Sequence, residues 1–262
     1  MTTLTAPAPP GASRTARLVL LHTRYNVLET VRIPVAVIGN LLFPGLALVF
    51  FVVPNPAVAG DPLVATSAVA QLALFAVMST FLFTFGTGVA EDRAMPFDAY
   101  VRTLPAGAAP RILGRVLTGV LFAVTSLLPV LLLGALLTEA TADTGTVARG
   151  IVAVLAAALP FLMLGLAIGY RLSSKAAIAV VQLVLFPLAF AGGLFLPPEL
   201  FPTWLAGASE WLPSRAGRDL LVETVTGAPA YPHALPVLVG LGVVATVLAV
   251  LAYRRDEGRR FR

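Results

Sequence analysis

Six stretches of this chain run 21 to 30 residues without an Asp, Glu, Lys or Arg: Ile33–Gly60, Pro62–Ala90, Val116–Thr138, Gly150–Tyr170, Ala176–Pro198 and Thr224–Tyr253. A helix rises about 1.5 Å per residue, so about 20 apolar residues cross the roughly 30 Å of hydrocarbon in a bilayer. Lipid offers no partner for a backbone N–H or C=O, so an apolar run of that length closes its own hydrogen bonds as a helix. A membrane β-barrel would show strands of about ten residues with alternating polarity, whereas these runs are continuous. The expected fold is an all-α membrane protein with six transmembrane helices.

The composition agrees: 58% of residues are hydrophobic, 12% are charged and the mean hydropathy is +0.91. A net charge of +5 and a pI near 10.2 would suit nucleic acid, but the charges lie in short connectors beside the apolar runs. They point to a lipid bilayer and away from nucleic acid. The chain has no cysteine, which excludes disulfides, thiol chemistry and iron–sulfur ligation.

Sorting the basic residues by connector orients the chain. Arg14, Arg17, Arg24 and Arg32 precede the first run; Arg93, Arg102, Arg111 and Arg115 separate the second and third; Arg171 and Lys175 separate the fourth and fifth. With Arg254, Arg255, Arg259, Arg260 and Arg262 after the sixth, fifteen basic residues share one side. The other side has three, Arg149, Arg215 and Arg218, beside seven acids. The excess of Lys and Arg on cytoplasmic loops places both termini in the cytoplasm, in the cell inner (cytoplasmic) membrane.

Residues 1–12 are Thr-, Ala- and Pro-rich and read as a disordered tail; they lack the apolar core of a secretory signal. Residues 13–32 mix basic and apolar positions at helical spacing. This predicts an amphipathic interfacial helix with Arg14, Arg17 and Arg24 toward lipid headgroups; the other reading is an extension of the first span. Residues 33–255 form the six-span domain, and 256–262 a basic cytoplasmic tail.

Within the runs, Pro44, Pro129, Pro160 and Pro187 predict kinks, and Gly165 with Gly169 forms a GxxxG pair suited to close helix approach. Thr80, Thr84 and Thr87 share a face with Phe81 and Phe85. Such threonines either line a path or bond their own helix backbone. No ionisable residue sits deep in any run, and Asn40, Gln71 and Gln182 are the main polar groups there. A self-contained proton-coupled carrier needs a titrating group in the membrane, which argues against a secondary transporter. An intramembrane enzyme needs a nucleophile and base or metal ligands; two distant histidines and no cysteine supply neither, so neither catalytic residues nor a metal site are expected. The one lysine, Lys175, is not part of a phosphate-binding GxxxxGK[ST] loop, so the chain is not itself an ATPase and no cofactor is expected in it. A structural or assembly membrane protein stays open as an alternative.

The connector Gly88–Val116 reads GVAEDRAMPFDAYVRTLPAGAAPRILGRV. It resembles the loop of ABC type-2 transporter permeases, the membrane subunits of daunorubicin-resistance-like exporters, which runs E-x-R, an acid, L-R, L-P and then G-R. Glu91, Arg93, Asp98, Arg102, Leu104, Pro105 and Gly114-Arg115 carry the likeness; Met95-Pro96 replaces the family's glycine, and Pro96 suits a first helical turn. Asn40–Pro44 resembles the family's Phe-Pro in the first span. Leu185–Pro197 resembles its P-L-x-F-x-S-G-x-x-x-P stretch, with Gly192 in place of Ser.

The resemblance implies a permease subunit of an ATP-driven exporter of an amphipathic drug, antibiotic or lipid-like substrate. It implies a separate nucleotide-binding ATPase subunit that binds the ATP and Mg and docks on a cytoplasmic coupling loop, 91–111, through Glu91, Asp92, Arg93, Asp98, Arg102, Leu104 and Pro105. It also implies a homodimer, or a heterodimer with a homologous permease. In such a dimer the second and fifth spans would enclose a path lined by Thr80, Phe81, Thr84, Phe190, Gly192, Gly193 and Phe195. Between spans five and six, the prolines of 197–213 together with Trp204 and Trp211 predict an external hairpin. It is either re-entrant, as the family has it, or flat on the outer surface.

Overall fold

The computed structural model describes residues 12–32, 42–96 and 109–259. The described residues form helices and no strand. The first, α1 (Ala12–Val31), covers the expected amphipathic segment. Helix α2 (Leu42–Phe51) widens into a π-helical stretch at Leu48–Val52. Asp61 starts α3 (Pro62–Ala94) by accepting from the Leu63 and Val64 N–H groups, both at 2.9 Å. Pro62, which has no N–H to satisfy, takes the first helical position.

Helix α4 is Ala109–Leu137. Asp143 caps α5 (Thr144–Arg171) by accepting from the Gly145 and Thr146 N–H groups. Helix α5 breaks at Ala158, just before Pro160, into Thr144–Ala157 and Leu159–Arg171. Helix α6 is Ser174–Ala191 and keeps Pro187 inside it. After a short turn come α7 (Thr203–Ser209), α8 (Pro213–Thr226) and α9 (Ala234–Arg259).

Five of these, α3, α4, α5, α6 and α9, are long and apolar enough to cross a membrane, and they match the last five runs. The first run is represented by α2, with residues 33–41 outside the described residues. Two boundaries differ from the sequence reading. Gly227 takes φ 77° and ends α8, a backbone angle that suits glycine because it has no Cβ. The last candidate span therefore starts at Ala234 instead of Thr224, and the segment joining α6 to α9 extends to residue 233. At the far end, α9 continues through Arg259, so the tail begins as helix.

Helix α3 is the axis of the bundle: 83% of its apolar window is buried, against 22% for α6 and for α9. Apolar burial does not drive helices together in lipid, so close packing must, and glycines provide it. A Cβ on Gly169 would fall 2.4 Å from the Phe85 carbonyl oxygen, and one on Gly165 3.0 Å from that of Phe81. Across from them, a Cβ on Gly86 would meet Val181 at 2.6 Å and one on Gly119 the Phe85 ring at 2.5 Å. Helices α4, α5 and α6 thus converge on Phe85-Gly86, inside the π-helical stretch Leu82–Thr87 of α3. Helix α1 docks on the start of α4 at Gly114: Thr23 Oγ1 donates to the Gly114 carbonyl at 3.3 Å, and a Cβ there would lie 2.6 Å from His22 Cβ.

Candidate functional site

At its C-terminal end α3 leaves its apolar run through Glu91, Asp92 and Arg93, and the three side chains diverge. Glu91 is exposed. Asp92 pairs with Arg115 at the start of α4. Arg93 turns inward: Nη1 donates to the Gly169 carbonyl at 2.7 Å and the Leu172 carbonyl at 3.1 Å, and Nε donates to Asp256 Oδ1 at 2.9 Å. Those carbonyls close α5, where a helix leaves its last acceptors unpaired and its dipole favours a cation. Asp98, Arg102, Leu104 and Pro105 of the expected coupling loop lie outside the described residues. Beside this end, burial against α4, reinforced by the charge of Arg111, holds the His22 imidazole below its ordinary value of 6.5.

At the opposite end of the bundle α8 runs back along α3. Its first turn meets the end of α6, where a Cβ on Gly192 would fall 2.2 Å from Ser214 Oγ, and Gly217 sits against Leu74 and Ala157. This brings Arg218 and Asp219, each 7% exposed, against α3 at Gln71. Asp219 accepts from Arg218 Nη1 at 2.6 Å and from Arg215 Nε at 2.8 Å. The Gln71 amide, oriented to satisfy both neighbours, accepts from Arg218 Nη2 at 2.7 Å and donates to the Gly193 carbonyl at 3.3 Å. Among the described residues the five candidate spans carry their charges near their ends, whereas α8 brings the pair Arg218 and Asp219 into the bundle. The sequence signal was available: Arg215, Arg218 and Asp219 interleave with Leu221 and Val222, giving α8 an apolar face.

An outer layer closes over this network. Tyr231 donates to the Glu210 carbonyl at 2.7 Å, Arg215 lies 5.9 Å above the Tyr231 ring, and His233 Nε2 lies 3.2 Å from Glu210 Oε2. Burial, followed by the charge of Asp219, pushes the Tyr231 hydroxyl up to about 12. Beside α8, a largely apolar cavity of about 200 Å³ lies between α3, α4 and α5, bordered by Thr66, Val69, Leu131, Ile151, Leu221 and Val225.

The residues expected along a substrate path fall into two groups. Phe190 and Phe195 stack at 4.8 Å, and Phe195 meets Phe75 of α3 at 4.8 Å and Phe51 of α2 at 5.7 Å. Gly192 and Gly193 lie at the end of α6 beside them, Gly193 with φ 77°. Farther along α3, Thr80 is buried and donates to the Ala76 carbonyl of its own helix at 2.8 Å. Phe81 meets Phe85 at 5.8 Å, and Thr84 is half-buried. Among the described residues no three His, Asp or Glu side chains gather as a metal site.

Residues 17–225 match the family described as ABC-2 type transporter. The chain is also 24% identical over 188 residues to "Putative transport permease YvfS" of Bacillus subtilis (strain 168), which covers 71% of this chain and 76% of that protein.

Proposed function

The chain belongs to the ABC-2 type transporter family, and from that premise we propose that it is the membrane permease subunit of an ATP-driven exporter. A separate ATPase subunit binds ATP and Mg and docks on the 91–111 segment. Two copies, or one copy with a homologous permease, enclose a route for an amphipathic drug, antibiotic or lipid-like substrate. The observation that carries this reading is the end of α3. A deeply buried helix runs without interruption into an acidic–basic cluster that leaves Glu91 exposed and ties Asp92 and Arg93 to three other spans. A contact on that turn reaches the bundle through helix ends instead of being absorbed in a loop.

Both termini face the cytoplasm in this reading, and the uncharged run Ile33–Gly60 supplies the first of six spans. The route passes the Phe75, Phe190 and Phe195 cluster, and α7 with α8 is a re-entrant hairpin, supported by Arg218 reaching Gln71 from the external side. A proton-coupled carrier is the weaker reading, because the buried Asp219 is already engaged by two arginines.

Exposed ion pairs contribute only about 0–1 kcal/mol each, so a single alanine at the docking segment is expected to be nearly silent. The double reversal Glu91→Arg with Asp98→Arg adds repulsion and should weaken copurification of the ATPase subunit while the permease itself remains folded. Copurification and transport at normal levels would remove this segment as the docking site.

A further inference from the structure

Asp256 continues a stripe on α9. Ala245, Ala249 and Ala252 are buried in sequence before it, and steps of three and four residues keep all four on one helix face. Where another alanine would extend the stripe there is a carboxylate whose side chain is 3% exposed. A buried carboxylate is costly unless paired and hydrogen-bonded, and Arg93 pairs it from 163 residues away. The same guanidinium holds the last carbonyls of α5. One planar side chain therefore ties the cytoplasmic ends of α3, α5 and α9, a three-way contact that the single ammonium of a lysine does not reproduce.

We propose that Arg93 and Asp256 are positioning residues: they latch the coupling segment to the last helix, so that displacement of the exposed turn at Glu91 passes into α5 and α9. The transmission part rests on the reading of 91–111 as the ATPase-docking segment. The latch itself does not, and the two are tested apart. Neighbouring residues divide the work. Glu91 faces outward, Asp92 holds α4 through Arg115, and Arg93 holds the other two helices. Release of Arg93 removes its bonds to Asp256 and to the α5 carbonyls and leaves the Asp92–Arg115 contact of α3 with α4 in place.

The natural chain has no cysteine, so one introduced thiol reports one place. Ala252→Cys puts a thiol on the stripe a turn from Asp256, and Ala123→Cys puts one at a buried position of α4, which the pair does not touch. Each full-length permease, purified without the ATPase in mild detergent, is labelled with a membrane-impermeant maleimide. Hydrogen bonds to charged groups are strong enough that losing them should speed local opening by about tenfold or more. Asp256→Asn and Arg93→Lys are thus expected to speed labelling at 252 by that factor and leave 123 unchanged, and Arg93→Asp with Asp256→Arg to restore part of the protection. Where Asp256→Asn gives no folded protein, Arg93→Lys decides alone. Unchanged labelling at 252 overturns the latch. An equal rise at both thiols overturns it too, since the pair would then support only the fold as a whole. Loss of ATPase docking in the Glu91→Arg, Asp98→Arg protein bears on the coupling reading and leaves the labelling result standing.

Discussion

Arg218 shows how a charge is kept inside a helical bundle. Its guanidinium meets Asp219 and Gln71, and Arg215 takes the other oxygen of Asp219. Breaking a buried pair by removing one partner typically costs about 3–5 kcal/mol, because the other charge is stranded. Arg215 still holds Asp219, so the lower end applies: Arg218→Ala should destabilise the permease by about 3 kcal/mol in an equilibrium unfolding titration in mixed micelles. An unchanged midpoint would mean that the pair is solvated. His22 makes a different prediction. Its folded value is depressed, so the unfolded chain binds a proton that the folded one resists. Stability is then complete above the ordinary value of 6.5 and is lost as pH falls below it toward the depressed folded value. The thermal midpoint of the purified permease should drop as pH falls below about 6.5, and His22→Gln should flatten that drop. A parallel drop in the variant would assign it to other groups.

At the scale of elements, the π-helical stretch of α3 sits where glycines of α5 press closest. A wider helical turn offers its carbonyls sideways, and only a residue without a Cβ at 169 lets the facing backbone approach. Gly169→Ala should therefore overpack the crossing and cost about 1–3 kcal/mol. Gly240→Ala in α9, where a Cβ meets nothing within 4 Å, should be neutral or slightly stabilising, and thermal midpoints of the two variants side by side check the contrast. Equal midpoints would mean that the crossing has room to spare. The GxxxG spacing of Gly165 and Gly169 was legible in the sequence, but the π-helical stretch opposite was not. It depends on three other helices arriving at Phe85-Gly86, and no local pattern encodes that convergence. The packing of α8 against α3 was harder to read for a related reason, although its apolar positions were in the sequence. Arg215, Arg218 and Asp219 read as external charges in a linear scan, yet they neutralise one another within a turn and so can be buried together.

Over the whole molecule, the last five apolar runs were legible because length and absence of charge are all that a bilayer requires of a spanning helix. Their ends were less so: the uncharged stretch before Ala234 belongs to α8 and a loop, since lack of charge alone does not distinguish a span from an apolar external helix. Asp256 shows the same limit, as a residue counted with a basic tail whose partner is 163 positions away. The family likeness came from the motif order around Glu91, Arg93 and Gly114-Arg115, and it agrees with the match over residues 17–225. The central claim is that this permease works with a separate ATPase. Its most direct test is native mass spectrometry of the 27.3 kDa chain captured from its own membranes in mild detergent. Two permease chains, or one with a homologue, should appear with two P-loop ATPase subunits, and the complex should hydrolyse ATP. A permease that emerges from intact membranes with no nucleotide-binding subunit, and whose transport persists without ATP, would contradict the account.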